Sequence, residues 1–352
     1  MGRMTYQFLK RLLKIFFSRF ILTSVVLCTI FISLAAAFFF VDPVGFRKII
    51  FQPTRELILF QNELGAISHL NKIQKFVAHP TKEVVIPSKG KDGLRLVADL
   101  YIPEGQGPAP SLLLLHGSDP WGRKAGLIQL LALRFKSSGW LVLAPDARGF
   151  GESADPQDIT SPEAWSVKDD IRRSINYLLS QPGTDSKRLH VLGHSLGAGH
   201  ALEGALNDPR VRSLVLIGPP RFLDGRKNSL WKQVRFAADR GLKQPVPEEV
   251  AEARIMKLDI SVHLKRQPKR YCDKPILLID GELEGDANLA FLAKIARGTI
   301  RPLNYLTLPD TGHYCGVRNL FGSETIYYRP DLFNPFMELV KNFFKMVEAD
   351  PK

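Results

Sequence analysis

Residues 193–197 read Gly193-His194-Ser195-Leu196-Gly197, a G-x-S-x-G run. A short apolar segment at 188–192 precedes it and reads as a buried strand, and a helix-compatible segment follows at 198–207. A serine between such elements takes a sparsely populated backbone conformation, which costs about 1–3 kcal/mol. Close packing of the strand on the helix leaves no room for a side chain at Gly193 or Gly197. The hydroxyl then stands at the apex of the turn, beside the positive end of a helix. A chain with this run needs a fold in which a buried strand turns directly into a helix.

The flanking pattern supplies such a fold. Segments 83–86 and 95–102 read as strands separated by the turn-forming cluster 89–93. A loop at 105–110 follows, then a strand at 111–115, a helix at 125–137, a strand at 140–144 and a helix within 162–179. Beyond the serine come a strand at 211–217, another at 276–279, a helix at 287–296, a strand at 303–308 and an amphipathic helix at 332–347. Continuous apolar strands alternating with helices predict an α/β class with a mostly parallel sheet buried on both faces. Residues 219–274 break the rhythm. They are rich in proline and basic residues, with helix-like pieces at 229–240 and 247–257, and read as an insertion.

The N-terminal part has a different character. Residues 20–41 are 22 positions without a charge. As a helix they would span roughly 33 Å, enough for a bilayer core of about 30 Å. Ala35-Ala36-Ala37 would suit signal cleavage, but the apolar run continues through Phe38-Phe39-Phe40-Val41, so an uncleaved signal anchor is expected. Arg3, Lys10, Arg11, Lys14 and Arg19 precede it with no acid, whereas the segment that follows, to Glu56, is nearly neutral. That asymmetry predicts a cytoplasmic N-terminus (residues 1–19) and a catalytic domain on the periplasmic or lumenal side. Met1-Gly2 is no myristoylation signal, because position 6 is Tyr. Within 42–81, Leu57, Phe60, Leu64, Ile67, Leu70, Ile73 and Val77 fall on one helical face. They predict an amphipathic stalk helix over 55–77, either packed on the domain or lying on a membrane surface.

The net charge of +13 on 352 residues would suit nucleic acid if it were spread evenly. It is not. Residues 1–20 carry five basic and no acidic groups, and residues 221–270 carry thirteen basic against six acidic ones. Two local patches argue against a nucleic-acid surface. The basic insertion could instead attract anionic acyl substrates or anionic headgroups, or be a solvated cap with no charge-based role. The three cysteines, Cys28, Cys272 and Cys315, make no disulfide framework; Cys272 and Cys315 either pair or stay as small unpaired residues.

Residues 82–347 resemble an α/β-hydrolase domain. The resemblance rests on Leu115-His116-Gly117-Ser118; on Pro145-Asp146-Ala147-Arg148-Gly149-Phe150-Gly151-Glu152-Ser153; on the G-x-S-x-G turn; on Leu278-Ile279-Asp280-Gly281-Glu282-Leu283-Glu284; and on Gly312-His313. It implies the α/β-hydrolase fold, a helical cap at 219–274 and a serine hydrolase. Ser195 is the expected nucleophile, and it needs a base. Of eight histidines, His313 follows a strand's carboxyl end, where α/β sheets place their sites. The base needs a carboxylate to fix its tautomer, and Asp280, Glu282, Glu284 and Asp286 are the candidates. The resemblance selects Glu284, where the family usually has Asp, with Asp286 as the alternative. Asp280 is a second departure, since the family often has His there. Oxyanion donors are expected at the backbone N–H of Leu196 and, by the resemblance, of Ser118. Asp146 and Arg148 are expected to brace their loop; Asp119 and Trp121 lie near the expected pocket mouth.

No metal or organic cofactor is implied. The expected reaction is hydrolysis of a carboxylic ester, of a small molecule or a lipid. A thioesterase, a peptidase and a non-catalytic binding module are the alternatives.

Overall fold

The computed structural model describes residues 52–350 apart from 66–67, 89–92, 106, 221–241, 244–245, 261–273 and 285–302. The expected membrane anchor at 20–41, its basic flank, Cys28, Cys272, Asp286 and the helix expected at 287–296 lie outside the described residues. Among the described residues, no helix is long and apolar enough to cross a membrane. The chain divides into two compact units, residues 1–59 and 60–352. The second holds both sheets and every candidate site residue.

Among the described residues, the central sheet has eight strands. Its strands are β2 (Lys82–Ile86), β3 (Leu96–Tyr101), β4 (Ala109–Leu115), β5 (Leu141–Pro145), β6 (Thr184–His194), β7 (Val211–Ile217), β8 (Ile276–Gly281) and β9 (Leu303–Leu308). They lie side by side as β2-β3-β5-β4-β6-β7-β8-β9. β2 and β3 pair antiparallel, as do β3 and β5, and every pair from β5 to β9 is parallel.

Period-two alternation explains the layering. In β4, Leu112 and Leu114 join the apolar cluster with α2 (Gly126–Ser137) and α6 (Pro330–Ala349), while Leu113 and Leu115 join the one with α3 (Lys168–Leu179) and α4 (Leu196–Gly204). β6 does the same with Leu192 on one face and Val191 on the other. Both faces are covered, as a parallel sheet requires. The described part of the 219–274 insertion includes α5 (Glu248–Leu258), whose Val250, Ala251 and Leu258 pack with Phe150, Trp165 and Leu196.

The expectation of one helix over 55–77 is corrected. The helix α1 runs Gln52–Leu64 and stops at Gly65, whose φ of +56° ends it. Residues Gln74–Val77 form strand β1, which pairs antiparallel with β11 (Thr325–Tyr328) beside β10 (Val317–Asn319) in a separate three-stranded sheet. Spacing of three and four residues persists across a break that only long-range pairing decides. The described end of α1 is fixed to the domain: Leu64 is fully buried, and Phe60 meets Tyr327 edge to face at 5.2 Å.

Candidate active site

The carboxyl ends of β4, β6, β7, β8 and β9 share one edge of the sheet, and the candidate residues lie there. Ser195 follows β6 directly and precedes α4, with φ 53° and ψ −118°. Its N–H donates to the Ile217 carbonyl at 2.7 Å, so β7 holds the strained turn. A Cβ on Gly193 would strike the Gly197 carbonyl, and one on Gly197 would strike the backbone of Leu115 and His116. The close strand–helix approach expected from the sequence is therefore present.

His313 lies in the loop between β9 and β10, and its Nδ1 is 3.1 Å from Glu284 Oε1. That contact fixes a proton on Nδ1 and leaves Nε2 as the acceptor. The imidazole is 32% exposed and the carboxylate 14%, so the pair is partly shielded but open on one side. Gly218, just past β7, closes the pair from below. A Cβ there would lie 2.7 Å from His313 Cε1 and 2.8 Å from Nδ1, and its φ is +51°. Of the rival carboxylates, Asp280 is buried within β8, and Glu282 accepts the Asp310 N–H at 3.0 Å. Asp286 lies outside the described residues.

Adjacency to the serine in a strand-to-helix turn suggests that His194 points elsewhere; the structure turns it toward the site. Its ring is 4.7 Å from that of His313, and Nε2 lies 2.9 Å from the His313 carbonyl. Burial, and then the positive potential of His313, push its pKa down to about 3. A neutral His194 thus donates steadily to the loop that carries His313. Gly117 is the link to Ser195 on the other side: a Cβ on it would be 3.0 Å from both His194 Nδ1 and Ser195 Cβ. His194 thus stands between the Gly117 turn, which abuts Ser195, and the ring of His313. Adjacency to the serine is the one signal in the sequence for His194.

The flanking loops are tied rather than reactive. His116 accepts the Ala147 N–H at Nε2 (2.9 Å), so its Nδ1–H donates to the Gly117 carbonyl (2.7 Å). Asp119 Oδ1 accepts the Trp121 N–H at 3.0 Å, and its Oδ2 faces Arg318 Nη1 at 3.4 Å. Arg318 stacks over Tyr314 at 4.2 Å. Asp119 therefore links the Ser118 loop to the His313 loop and is 4% exposed, instead of standing at a pocket mouth. Asp146 and Arg148 do brace the loop between them, but through other partners: Arg148 forks onto Asp170 at 2.6 and 2.8 Å, and Asp146 pairs with Arg123. Cys315 is buried, and burial raises its thiol well above the usual range. Among the described residues, no group of three His, Cys, Asp or Glu is placed to hold a metal ion.

The model of the alpha/beta hydrolase family matches residues 112–319. The chain is 33% identical over 130 residues to the esterase EstD of Thermotoga maritima, covering 36% of this chain and 30% of that protein. It is 33% identical over 129 residues to the thiohydrolase AneE of Aspergillus aculeatus, covering 36% of this chain and 39% of that one. The match thus spans well under half the length of these relatives. Among solved structures, the alpha/beta hydrolase GrgF from a Penicillium species superposes with a TM-score of 0.54 at 17% identity, over 77% of this chain and 100% of that one, a likeness of fold.

Proposed function

The chain belongs to the alpha/beta hydrolase family, and within it we propose a serine hydrolase that cleaves carboxylic esters through an acyl-enzyme. The observation that carries this reading is the 3.1 Å contact of Glu284 with His313 at the sheet edge that bears the strained Ser195. The Ser195 hydroxyl attacks the carbonyl carbon while His313 Nε2 takes its proton. Glu284 holds the Nδ1–H and supports the positive charge that develops on the ring. The backbone N–H groups of Leu196 and Ser118 receive the oxyanion. His313 then protonates the departing alkoxide, and water, activated by the same nitrogen, releases the acid and restores Ser195. No step draws on a metal or cofactor.

The natural ester is a small molecule or a lipid, and the basic character of the 219–274 insertion suits anionic acyl chains or headgroups. A segment at 20–41 anchors the enzyme with its N-terminus cytoplasmic and its catalytic domain outside the cytoplasm; the uncharged run and its basic flank support this. Likeness to a thiohydrolase favours thioesters as a second class. A panel of p-nitrophenyl esters of graded length, acyl thioesters and aminoacyl amides tests the reading. Ester turnover with a pre-steady-state burst of one equivalent is expected. Turnover of amides alone, or turnover that survives in Ser195→Ala, would overturn it.

A further inference from the structure

The loop that carries His313 rests on a second carboxylate, Glu63, contributed by α1 upstream of the matched family region. Glu63 is 8% exposed. A Cβ on Gly312, the residue before His313, would collide with its carboxyl oxygens. The backbone N–H groups of Tyr314 and Gly316 and the guanidinium of Arg318 face the same carboxylate. Its Oε2 has no hydrogen-bond partner among the described residues. A buried, half-satisfied carboxylate is costly to keep, and a site that keeps one is a candidate for function.

Resting on the reading of Ser195 and His313 as nucleophile and base, the geometry points to Glu63 as a positioning residue that holds the 312–316 loop and stabilises the imidazolium form of His313. Glu284 meets the ring directly at Nδ1; Glu63 acts from beneath through Gly312 and the N–H groups that follow. Each proton transfer from Ser195 makes His313 cationic, and a buried negative charge beside it lowers the energy of that state. Burial outweighs the opposing pull of His313, of the two N–H groups and of Arg318, so the Glu63 pKa stands above the ordinary carboxylate range, and His313 is the largest of the influences that favour its charged form. The other ionisable groups facing it are Cys315 and, along a cleft of about 550 Å³ that Glu63 also lines, His69, Lys72, Asp310, Arg329 and Asp331. Among the described residues, Glu284 and His194 stand against His313 itself, and Glu284 and Asp280 act on Cys315 in the same loop.

The test is the pH profile of fluorophosphonate labelling on the full chain, for the wild type and for two variants that remove the charge, Glu63→Gln and Glu63→Met. Both keep the thermal midpoint near that of the wild type, because they remove a desolvated carboxylate. Their plateau labelling rate falls about tenfold, and the acid-limb midpoint moves down by roughly half a unit to one unit, as loss of a nearby negative charge requires. An acid limb unmoved in a folded variant would overturn the proposal, as would failure of both variants to fold, which would make the carboxylate a scaffold group. A wild type that does not label would overturn the Ser195 reading itself, and is recognised before any variant is made.

Discussion

Two charge clusters use similar residues to opposite ends. Around Arg123, 1% exposed, stand Asp99 at 2.9 Å, Glu152 at 3.2 Å, and Asp146 and Glu83 in closer pairs. Burial opposes the guanidinium charge, but Asp146 and Asp99 overcome it and hold the arginine above its usual range. The Asp146 carboxylate also accepts N–H groups from Arg123 and Glu152, both at 2.8 Å. Each of the four carboxylates meets the guanidinium, two of them buried and two at the surface. At His313, by contrast, Glu284 meets the ring at Nδ1 and Glu63 lies under Gly312, and an imidazole, unlike a guanidinium, is not permanently charged. A permanent cation that ties four carboxylates marks a scaffold, whereas carboxylates beside a group that becomes cationic only on taking a proton fit a site prepared for positive charge.

Neutralising one member of each cluster puts the contrast at risk. Glu284→Gln removes the tautomer lock, and kcat on p-nitrophenyl butyrate should fall by about 10⁴-fold with little change in thermal midpoint. A fall below tenfold would move the triad acid elsewhere, Asp286 being the remaining candidate. Arg123→Ala leaves the Asp99 and Asp146 carboxylates buried together without their cation, and urea unfolding should show a loss of about 3–5 kcal/mol. Its kcat, measured where the protein is still folded, should stay within about threefold of the wild type, a difference of under 1 kcal/mol. A larger change would erase the distinction between scaffold and site.

Two smaller effects refine the distinction. Gly218→Ala places a methyl against the His313 ring at a positive φ, and kcat should drop by about 10- to 100-fold, or 1.4–2.7 kcal/mol. The second is stability against pH. Burial drives His194 down to about 3 and His200 well below 6.5. The unfolded chain protonates both as pH falls through 6.5, whereas the folded chain resists. Their stabilisation is therefore complete above 6.5 and is lost progressively as pH falls toward 3. Urea midpoints across that window should decline and flatten in His194→Gln; an equally steep decline in the variant would assign the loss to other groups.

Much of the fold is legible in the sequence because it is local. β7 and β9 have the bounds that apolar runs at 211–217 and 303–308 predict. The turn at Ser195 is readable because two glycines and a serine satisfy one steric demand together. The three-stranded sheet is not, since β10 and β11 are three and four residues long and β1 joins β11 across most of the chain. Glu63 escapes notice for the same reason. It sits three residues after Phe60 beside an apolar stripe, and only the His313 loop, 250 positions on, gives it a role. The roles of Asp119 and His194 likewise depend on loops that approach one another in space, and beyond the adjacency of His194 to Ser195 the chain order carries no trace of them.

All of this chemistry requires Ser195 to be a nucleophile made reactive by His313. The intact mass and peptide map of the full chain after exposure to a fluorophosphonate measure that reactivity at the residue itself. A single phosphonyl adduct on the peptide containing Ser195 is expected, absent in Ser195→Ala and formed far more slowly in His313→Ala. No adduct, an adduct on another residue, or a rate indifferent to His313 would refute the role of the pair.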